Sequence, residues 1–362
     1  MTAALAALQR RISLSGPITV ADFMAEASGH PAHGYYATRD PFGAAGDFIT
    51  APEVSQMFGE LVGLWAADVW SSMGAPDPVR VVELGPGRGT LMADFLRAAG
   101  QAPAFKAAID LHLVETSPVL RRLQESRLQA TWHGRFDDVP AGPIILIANE
   151  FFDALPVHQF QRMPDGWRER MVATDSDGSL QFVMAPAATP LASVLPPAVA
   201  GTAAMGAVAE ICPLGAAIMR SVAERVLTFG GAALVFDYGQ CRSAPGDTLQ
   251  AVRGHRYTAV LDQPGECDLT AHVDFERLAE AARETGARAW YPVEQGAFLE
   301  RLGIRVRADM LKKSAGVRDA GEIETALQRL IARDQMGSLF KTFSVTRPDS
   351  PTPPGFDPAI EW

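Results

Sequence analysis

The stretch "VVELGPGRGT", residues 81–90, decides the fold prediction. Apolar residues lead into Glu83, and glycines then alternate at Gly85, Gly87 and Gly89, with Pro86 between the first two. An apolar strand that passes through a glycine-rich turn into a helix is typical of α/β proteins that bind a cofactor at that turn. Glycine allows ligand atoms to approach the backbone closely. The stretch therefore predicts a ligand at the carboxyl end of a strand.

The sequence around this turn alternates between strand and helix patterns. The long apolar run "GPIILIANE" has the length and composition of a strand buried on both faces. Alternation of this kind predicts an α/β fold with a doubly wound, mostly parallel sheet. We expect seven strands, in the segments "RVVELG", "DLHLVET", "ATWH", "GPIILIANE", "AALVFDYG", "ARAWYPVE" and "LFKTFSVTR".

Composition divides the chain into three regions. Residues 1–75 have helical periodicity, and 76–346 form the sheet domain. Within that domain, polar and apolar residues alternate between turn signals at about 157–210, which predicts an inserted antiparallel β subdomain. The tail 347–362 contains five prolines in 16 residues and is predicted to be extended.

Charge and composition disfavour several classes of function. The net charge is −10, whereas a general nucleic-acid binder needs a basic face. The three cysteines, Cys212, Cys241 and Cys267, include no C-x-x-C pair, so we predict neither zinc nor a disulfide framework. No apolar run is long enough to predict a membrane span, and the histidine spacing predicts no metal site.

The glycine turn itself narrows the choice of cofactor. A phosphate-binding P-loop requires a lysine after the last glycine, and none is near. A dinucleotide site requires G-x-G-x-x-G, but Thr90 occupies the third glycine position. S-adenosylmethionine fits better, because its carboxylate can accept backbone N–H groups at the helix N-terminus. Glu115, after the next strand, would bind the ribose hydroxyls or cap the next helix, and Glu83 would lie near the cofactor amine or be a buried structural acid.

Six blocks of sequence resemble the MidA-type family of methyltransferases. They follow the family order and span about 14–346; they include "GDFITAPEVSQMFGELVG", "ELGPGRGTLMADFLRA", "VETSPVLRRLQ", "IANEFFDALPVHQF", "LVFDYG" and "DLTAHVDF". The resemblance implies a class I, Rossmann-like methyltransferase fold with S-adenosyl-L-methionine as cofactor. Mitochondrial members are complex I assembly factors that methylate protein arginine. The implied partner is the large NADH dehydrogenase subunit, whose arginine near the quinone site would be symmetrically dimethylated.

The carboxylates after the fourth predicted strand are the expected catalytic residues. Glu150 and Asp153 are three residues apart, so a helical turn would direct both to one side. A pair of carboxylates can hold a guanidinium group and accept its proton. The alternative is structural, with Asp153 capping a turn and Glu150 pairing with an arginine. His272 is the third expected catalytic residue, as a proton shuttle, although a structural histidine is the alternative.

The remaining expected site residues fall into two groups. Besides Glu83, Glu115 and the glycine turn, the cofactor site is expected to include Thr116, Ser117, Asp137, Asp138 and Asn149. The substrate side, including a lid loop, is expected to include Asp47, Phe48, Thr50, Pro52, Glu53, Gln56, Asp237, Tyr238 and Asp268. Thr50 is also the expected N-cap of a helix that begins at Pro52, and Ser117 is the expected N-cap of a helix with Pro118 at its first position.

Other functions remain open at this point. The chain could be an assembly factor that holds its partner with a vestigial cofactor site, although the intact glycine turn, Glu115 and Glu150 favour activity. A dinucleotide-dependent oxidoreductase is disfavoured by Thr90. A small-molecule methyltransferase and a homodimer both stay open. The resemblance implies a cytoplasmic protein in a bacterium or a mitochondrial matrix protein in a eukaryote.

Overall fold

A computed structural model describes residues 2–41, 49–360 and 362. Its strands, in chain order, are β1 Ile18–Thr19, β2 Val79–Leu84, β3 Ile109–Val114, β4 Thr131–His133, β5 Ile144–Asn149, β6 His158–Met163, β7 Gly166–Thr174, β8 Leu180–Met184, β9 Val208–Ile211, β10 Gly231–Gln240, β11 Gln250–Arg253, β12 Arg256–Thr258, β13 Asp268–Thr270, β14 Val273–Asp274, β15 Arg288–Glu294 and β16 Phe340–Thr346.

The helices lie on both sides of the predicted insertion, except α9, which lies within it. In chain order they are α1 Ala3–Ser15, α2 Val20–Gly29, α3 Tyr35–Thr38, α4 Ala51–Val54, α5 Gln56–Ser72, α6 Thr90–Ala99, α7 Pro103–Ala108, α8 Pro118–Glu125, α9 Pro197–Thr202, α10 Pro213–Phe229, α11 Phe275–Arg283, α12 Gln295–Arg301, α13 Ile304–Ser314, α14 Val317–Ile331 and α15 Met336–Leu339. Within the described residues, no helix is long and apolar enough to cross a membrane.

The chain forms two compact units, each built from three separate segments. The hairpin unit comprises Met1–Phe48, Phe152–Ala217 and Gln240–Arg277. The parallel-sheet unit comprises Ile49–Phe151, Ile218–Gly239 and Leu278–Trp362. This grouping differs from the predicted regions, because 1–48 group with the insertion rather than with 49–75. Such contacts join residues far apart in sequence, which local periodicity does not report.

The parallel-sheet unit contains the seven predicted strands, which belong to a mostly parallel sheet of eight strands. The seven lie in the order β15-β16-β10-β5-β2-β3-β4. The five strands from β10 to β4 are parallel, whereas β16 and β15 are antiparallel to their neighbours. The apolar strand β5 is central, and its residues from Ile144 to Ala148 are fully buried. The sequence prediction of an α/β fold is confirmed.

The hairpin unit contains two antiparallel sheets. In the first, β7 pairs with β6, β8 and the short N-terminal strand β1, and β6 pairs with β9. In the second, β11 lies between β12 and β13. Helices α1 and α2 contribute Leu8, Phe23 and Met24 to the apolar core of this unit, which also includes Val172 and Leu269. The predicted antiparallel hairpins are present, and the N-terminal helices share their core.

The helix predicted to begin at Pro52 is two helices. Ser55 has extended backbone angles of φ −163° and ψ 141°, which ends α4 after one turn. The side chain of Ser55 then accepts an N–H group from Met57 and caps α5. Thr50 is the N-cap residue of α4, but its side chain makes no capping hydrogen bond. The local signal for this break is Ser55, a residue type that favours helix N-caps, although the spacing of the apolar residues continues through it.

The proline-rich tail packs on the parallel-sheet unit. Phe356 is buried against Trp290 and Phe298, with ring centroids 6.3 and 5.6 Å apart. The indole of Trp362 donates to the carbonyl of Ala289 at 3.0 Å. The tail is not extended as predicted, since backbone hydrogen bonds between residues three apart close turns along it. Its aromatic residues join an existing core, because burying large apolar side chains is favourable even without regular structure.

Candidate active site

The carboxyl ends of the parallel strands bring several predicted residues to one edge of the sheet. Glu83 lies near the end of β2, and Leu84 is in register with Val114 of β3 and Ala148 of β5. Asn149 ends β5, and it is in register with Phe236 of β10. In open α/β sheets, ligands bind at this edge.

The glycine turn has a backbone that only glycine adopts readily. Gly85, Gly87 and Gly89 have φ values of 62°, 53° and 77°. A Cβ atom on Gly85 would lie 3.0 Å from Phe151 Cδ2, and one on Gly89 would lie 2.9 Å from Leu128 Cδ1. The Gly89 N–H group donates to the carbonyl of Pro86 at 2.8 Å, which closes the turn before α6. Both conformation and close packing therefore require the alternating glycines.

Glu115 is held in a fixed position at the end of β3. One carboxylate oxygen accepts the N–H group of Ser117 at 2.7 Å, and the other accepts the amide of Gln124 at 3.1 Å. The same amide also donates to the carbonyl of Gly87 at 2.7 Å. The backbone of Thr116 also donates to this carboxylate. An ionised carboxylate has about four acceptor positions, so about one remains for a ribose hydroxyl. Glu115 supports the start of α8, which is the structural alternative, and its ribose role stays a prediction.

Glu83 is a buried carboxyl group with an unusual environment. Burial and the nearby negative charge of Glu115 raise the pKa of Glu83 to about 8. Across the described residues, none donates a hydrogen bond to Glu83 Oε2 or to Asn149 Oδ1, and both atoms are buried. Buried acceptors usually have a partner, so these two atoms indicate a ligand that supplies donors.

Comparison with known proteins identifies the family to which the chain belongs. A family model described as an S-adenosyl-L-methionine-dependent methyltransferase matches residues 61–293. The mouse protein "Protein arginine methyltransferase NDUFAF7, mitochondrial" is 38% identical over 95% of this chain and 84% of its own length. The human protein of the same name is 37% identical over 95% of this chain and 83% of its own.

The chain belongs to this family of S-adenosyl-L-methionine-dependent methyltransferases.

Solved structures agree with this family. A protein from Burkholderia thailandensis, described as a "likely methyl transferase" and bound to S-adenosyl-homocysteine, is 27% identical. Its alignment covers 99% of this chain and 93% of that protein, with a TM-score of 0.80. A native structure from the same organism has a TM-score of 0.83 and covers 98% of this chain and 94% of that protein.

The residues at the sheet edge fit S-adenosyl-L-methionine. The glycine turn and the start of α6 present backbone N–H groups for the carboxylate of the methionine portion. Glu83 Oε2 and Asn149 Oδ1 are acceptors of the kind that its ammonium group needs. Glu115 would accept a ribose hydroxyl. When bound, the cofactor supplies a methyl group on a positively charged sulfur.

The other predicted cofactor residues lie around this edge in different environments. Ser117 is buried and caps α8 by accepting the Leu120 N–H group at 3.3 Å, as predicted, whereas Thr116 is exposed. Asp137 and Asp138 lie in a short 3₁₀ turn and are exposed. Asp137 accepts the hydroxyl of Ser221 at 2.9 Å. That bond gives Asp137 a structural contact with α10. Of the two acids, we therefore keep Asp138 as the proposed ligand of the adenine amine.

Glu150 does not lie on a helical turn with Asp153, so that part of the prediction is wrong. Its φ of 50° is in the left-handed region, and its N–H group donates to the carbonyl of Phe236 at 2.9 Å. One carboxylate oxygen accepts the Ala51 N–H group at 3.4 Å and the Asn149 amide at 3.3 Å. Non-glycine residues in this conformation cost free energy and are enriched at functional sites.

Asp153 lies in the hairpin unit beside Asp268 and Tyr36. The Ala271 N–H group donates to the backbone carbonyl of Asp153 at 2.9 Å, which joins this turn to the end of β13. Tyr36 donates its hydroxyl to Asp268 Oδ1 at 2.5 Å. Burial, followed by the charges of Asp268 and Asp153, raises the pKa of Tyr36 well above its usual value. Both aspartates are buried, and the charges of both predicted site residues act on this tyrosine.

The remaining predicted residues are placed as follows. His272 is exposed, but partial burial of its side chain lowers its pKa. Its backbone N–H group donates to Thr248 Oγ1 at 2.9 Å. Asp237 is fully buried at the end of β10, where its carboxylate accepts the N–H group of Tyr238 at 2.9 Å.

The predicted lid segment is described only in part. Asp47 and Phe48 lie outside the described residues. Thr50 and Pro52 are buried, whereas Gln56 is exposed at the first position of α5. Glu53 accepts a hydrogen bond from the hydroxyl of Thr90 at 2.5 Å, so it contacts α6, the helix that follows the glycine turn.

One cluster in the hairpin unit has metal-binding residue types. Glu26, His30 and His33 bring three potential ligand atoms within 4.8 Å of one another. The two imidazole rings are stacked, with centroids 3.7 Å apart and planes 6° from parallel. An imidazole binds a metal in the plane of its ring, so two parallel stacked rings cannot share an ion in this arrangement. His33 Nε2 instead lies 2.8 Å from Glu26 Oε1.

Three residues at these sites were not predicted. Gln124 is fully buried on α8 and joins Glu115, Gly87 and the indole of Trp132. Its signal in the sequence is an amide on the apolar face of an amphipathic helix. Tyr36 is followed closely by charged residues and carried no pattern of its own. The sequence pattern indicates nothing about Thr90 except that it replaces the third glycine of a dinucleotide site.

Proposed function

We propose that this methyltransferase methylates an arginine of the large NADH dehydrogenase subunit, near the quinone site, and thereby supports assembly of respiratory complex I. The names of the curated relatives support arginine as the acceptor, since those from mouse, frog, fish, fly and human are all named protein arginine methyltransferases. The resemblance to the MidA-type family supports the subunit.

The chemistry of the acceptor makes specific demands on the protein. A guanidinium group is protonated at neutral pH, and its pKa lies above 12. During transfer, a nitrogen–carbon bond forms as the sulfur–carbon bond breaks, and one N–H proton has to leave. A carboxylate can hold two N–H groups of the planar guanidinium and accept that proton.

This proposal rests on two buried carboxylates, Asp153 and Asp268, whose charges both act on Tyr36. Two such carboxylates are suitable acceptors for a planar cation in a region of low dielectric, where charge-assisted bonds are strong. We assign guanidinium binding to this pair, with Asp153 as the proton acceptor. Glu150 and His272 are assigned supporting roles, Glu150 in holding α4 and His272 in carrying the proton to solvent.

Mass spectrometry of the large NADH dehydrogenase subunit tests the proposal. The subunit is isolated from cells with and without this gene, and from cells that express Asp153→Asn. We expect one arginine peptide to gain the mass of two methyl groups only with the wild-type gene. Asp165→Asn is the matched control, because Asp165 is exposed in a hairpin turn and pairs with Arg168. Unchanged methylation without the gene would exclude this subunit as the acceptor.

A variant of the glycine turn distinguishes an enzyme from an assembly factor without activity. Gly87→Val removes the glycine turn and leaves the hairpin unit intact. If complex I assembles normally in cells that carry this variant, the protein acts by holding its partner rather than by methylation. The relatives' names include "mitochondrial". We propose the matrix as the compartment in a eukaryote and the cytoplasm in a bacterium, because the acceptor arginine would be exposed there during assembly.

A further inference from the structure

Thr90 is the first residue of the helix that follows the glycine turn. The N-cap of α6 is Gly89, which has a left-handed backbone and no side chain that could cap the helix. The first backbone N–H groups of a helix have no partner within it. At α6, these are the groups that bind the carboxylate of the cofactor. Cofactor affinity therefore depends on how accurately this first turn is held.

The side chain of Thr90 fastens the start of α6 to other parts of the unit. Its hydroxyl donates to Glu53 Oε1 at 2.5 Å. The same oxygen accepts a hydrogen bond from Arg127 Nη1 at 3.2 Å. A threonine hydroxyl has one donor and two acceptor positions, so both contacts can exist together. A hydrogen bond to an ionised group is about twice as strong as one between neutral groups.

The second oxygen of Glu53 extends this contact to the other side of Gly89. Arg88 Nη1 lies 3.7 Å from Glu53 Oε2. Glu53 thus contacts the residue before Gly89 and the residue after it. Its side chain is only 18% exposed, so water weakens these interactions less than it would at the surface. One carboxylate therefore restrains both flanks of the last glycine in the turn.

Glu53 belongs to α4, and α4 has a second attachment. The N–H group of Ala51 donates to Glu150 Oε1 at the end of β5. Ala51 and Pro52 are buried, so this short helix is packed as well as hydrogen-bonded. Residues 51–53 consequently connect the glycine turn to Glu150 within the parallel-sheet unit.

We propose that Glu53 and Thr90 are positioning residues for the cofactor: their contact holds the glycine turn in the geometry that binds S-adenosylmethionine, and cofactor binding in turn orders α4. The two effects are linked, because a contact that favours binding is itself favoured when the ligand is bound. The inference rests on family membership and does not depend on which molecule accepts the methyl group.

Calorimetric titration of S-adenosylmethionine into the full chain tests the first half. Thr90→Val and Glu53→Gln should each raise the Kd about 10-fold, since the first removes this hydrogen bond and the second removes its charge assistance. The double variant should also bind about 10-fold more weakly, rather than about 100-fold, because the two residues act through one contact. Thr90→Ser keeps the hydroxyl and should bind like the wild type. Glu125→Gln is the control, since Glu125 pairs with Arg121 on the exposed face of α8.

Amide hydrogen exchange tests the second half and separates positioning from general stability. The backbone amides of residues 51, 53 and 54 should exchange more slowly when S-adenosylmethionine is added to the wild type or Thr90→Ser. This protection should be lost in Thr90→Val. Wild-type affinity in both Thr90→Val and Glu53→Gln would overturn the proposal, as would independent, multiplying losses. Should Thr90→Val fail to fold, Glu53→Gln decides; a wild type that does not bind the cofactor would instead contradict the methyltransferase function itself.

Discussion

Replacement of Glu83 by glutamine should change how stability depends on pH. Burial and the charge of Glu115 raise the pKa of Glu83 from 4.5 to about 8. The folded protein therefore keeps a proton that the unfolded chain has released, and the free energy of unfolding falls as pH rises from about 4.5 to about 8. With 1.36 kcal/mol for each pKa unit, this loss amounts to about 3 kcal/mol between pH 5 and pH 7.5.

Glu83→Gln lacks this titration, so its free energy of unfolding should rise by about 3 kcal/mol relative to that of the wild type over that interval. The amide adds two buried donors, and leaving them without partners costs about 1–3 kcal/mol at every pH. The pH dependence is consequently more informative than the stability at any one pH.

Urea denaturation followed by tryptophan fluorescence can measure this difference. Five of the six tryptophans lie in the parallel-sheet unit, and Trp167 lies in the hairpin unit. A Trp167→Phe background would therefore report on the unit that contains Glu83. Glu125→Gln again serves as the control for loss of one carboxylate. Parallel pH profiles for wild type and Glu83→Gln would refute the reasoning, because they would mean that Glu83 titrates alike in the folded and unfolded chains.

Three further predictions concern binding and activity. Gly87→Val should abolish S-adenosylmethionine binding, because valine is strained at a φ of 53°; a normal calorimetric isotherm would contradict the assignment of the turn. Gln124→Leu should weaken the same binding by about 1–3 kcal/mol, since Glu115 and the Gly87 carbonyl lose a buried donor, and an unchanged Kd would show that Glu115 needs no support. Tyr36→Phe should leave cofactor affinity unchanged but lower kcat for arginine methylation by about 10-fold, corresponding to one lost hydrogen bond to a charged group; full activity would remove Tyr36 from the site.

Local patterns in the sequence were sufficient to predict the parallel sheet and the start of a helix beside it. The apolar run before Asn149 predicted a central strand, and the Ser117-Pro118 pair predicted the start of α8, because both depend on a few neighbouring residues. The glycine turn was predictable for the same reason, since its conformation requires glycine whatever surrounds it.

Features set by distant residues could not be predicted in this way. Glu150 and Asp153 have helical spacing, but the bond from Glu150 N–H to the Phe236 carbonyl and the left-handed backbone turn the chain instead. Tyr36 and Asp268 are 232 positions apart, so no local pattern joins them. Phe356 shows the same limit, because the composition of the tail predicts neither the turns that it makes nor the core on which it packs.

The assembly of the hairpin unit from three separate segments has a consequence for synthesis on the ribosome. Leu8 and Phe23 leave the ribosome early, but they share a core with Leu269 and Ala271, which are translated much later. Closing so long a loop is slow and costs chain entropy that only the last segment repays. At about 5–20 residues per second, the N-terminal helices wait for more than ten seconds with their apolar faces uncovered. The N-terminal segment of the nascent chain is therefore the part of this protein that most needs a chaperone.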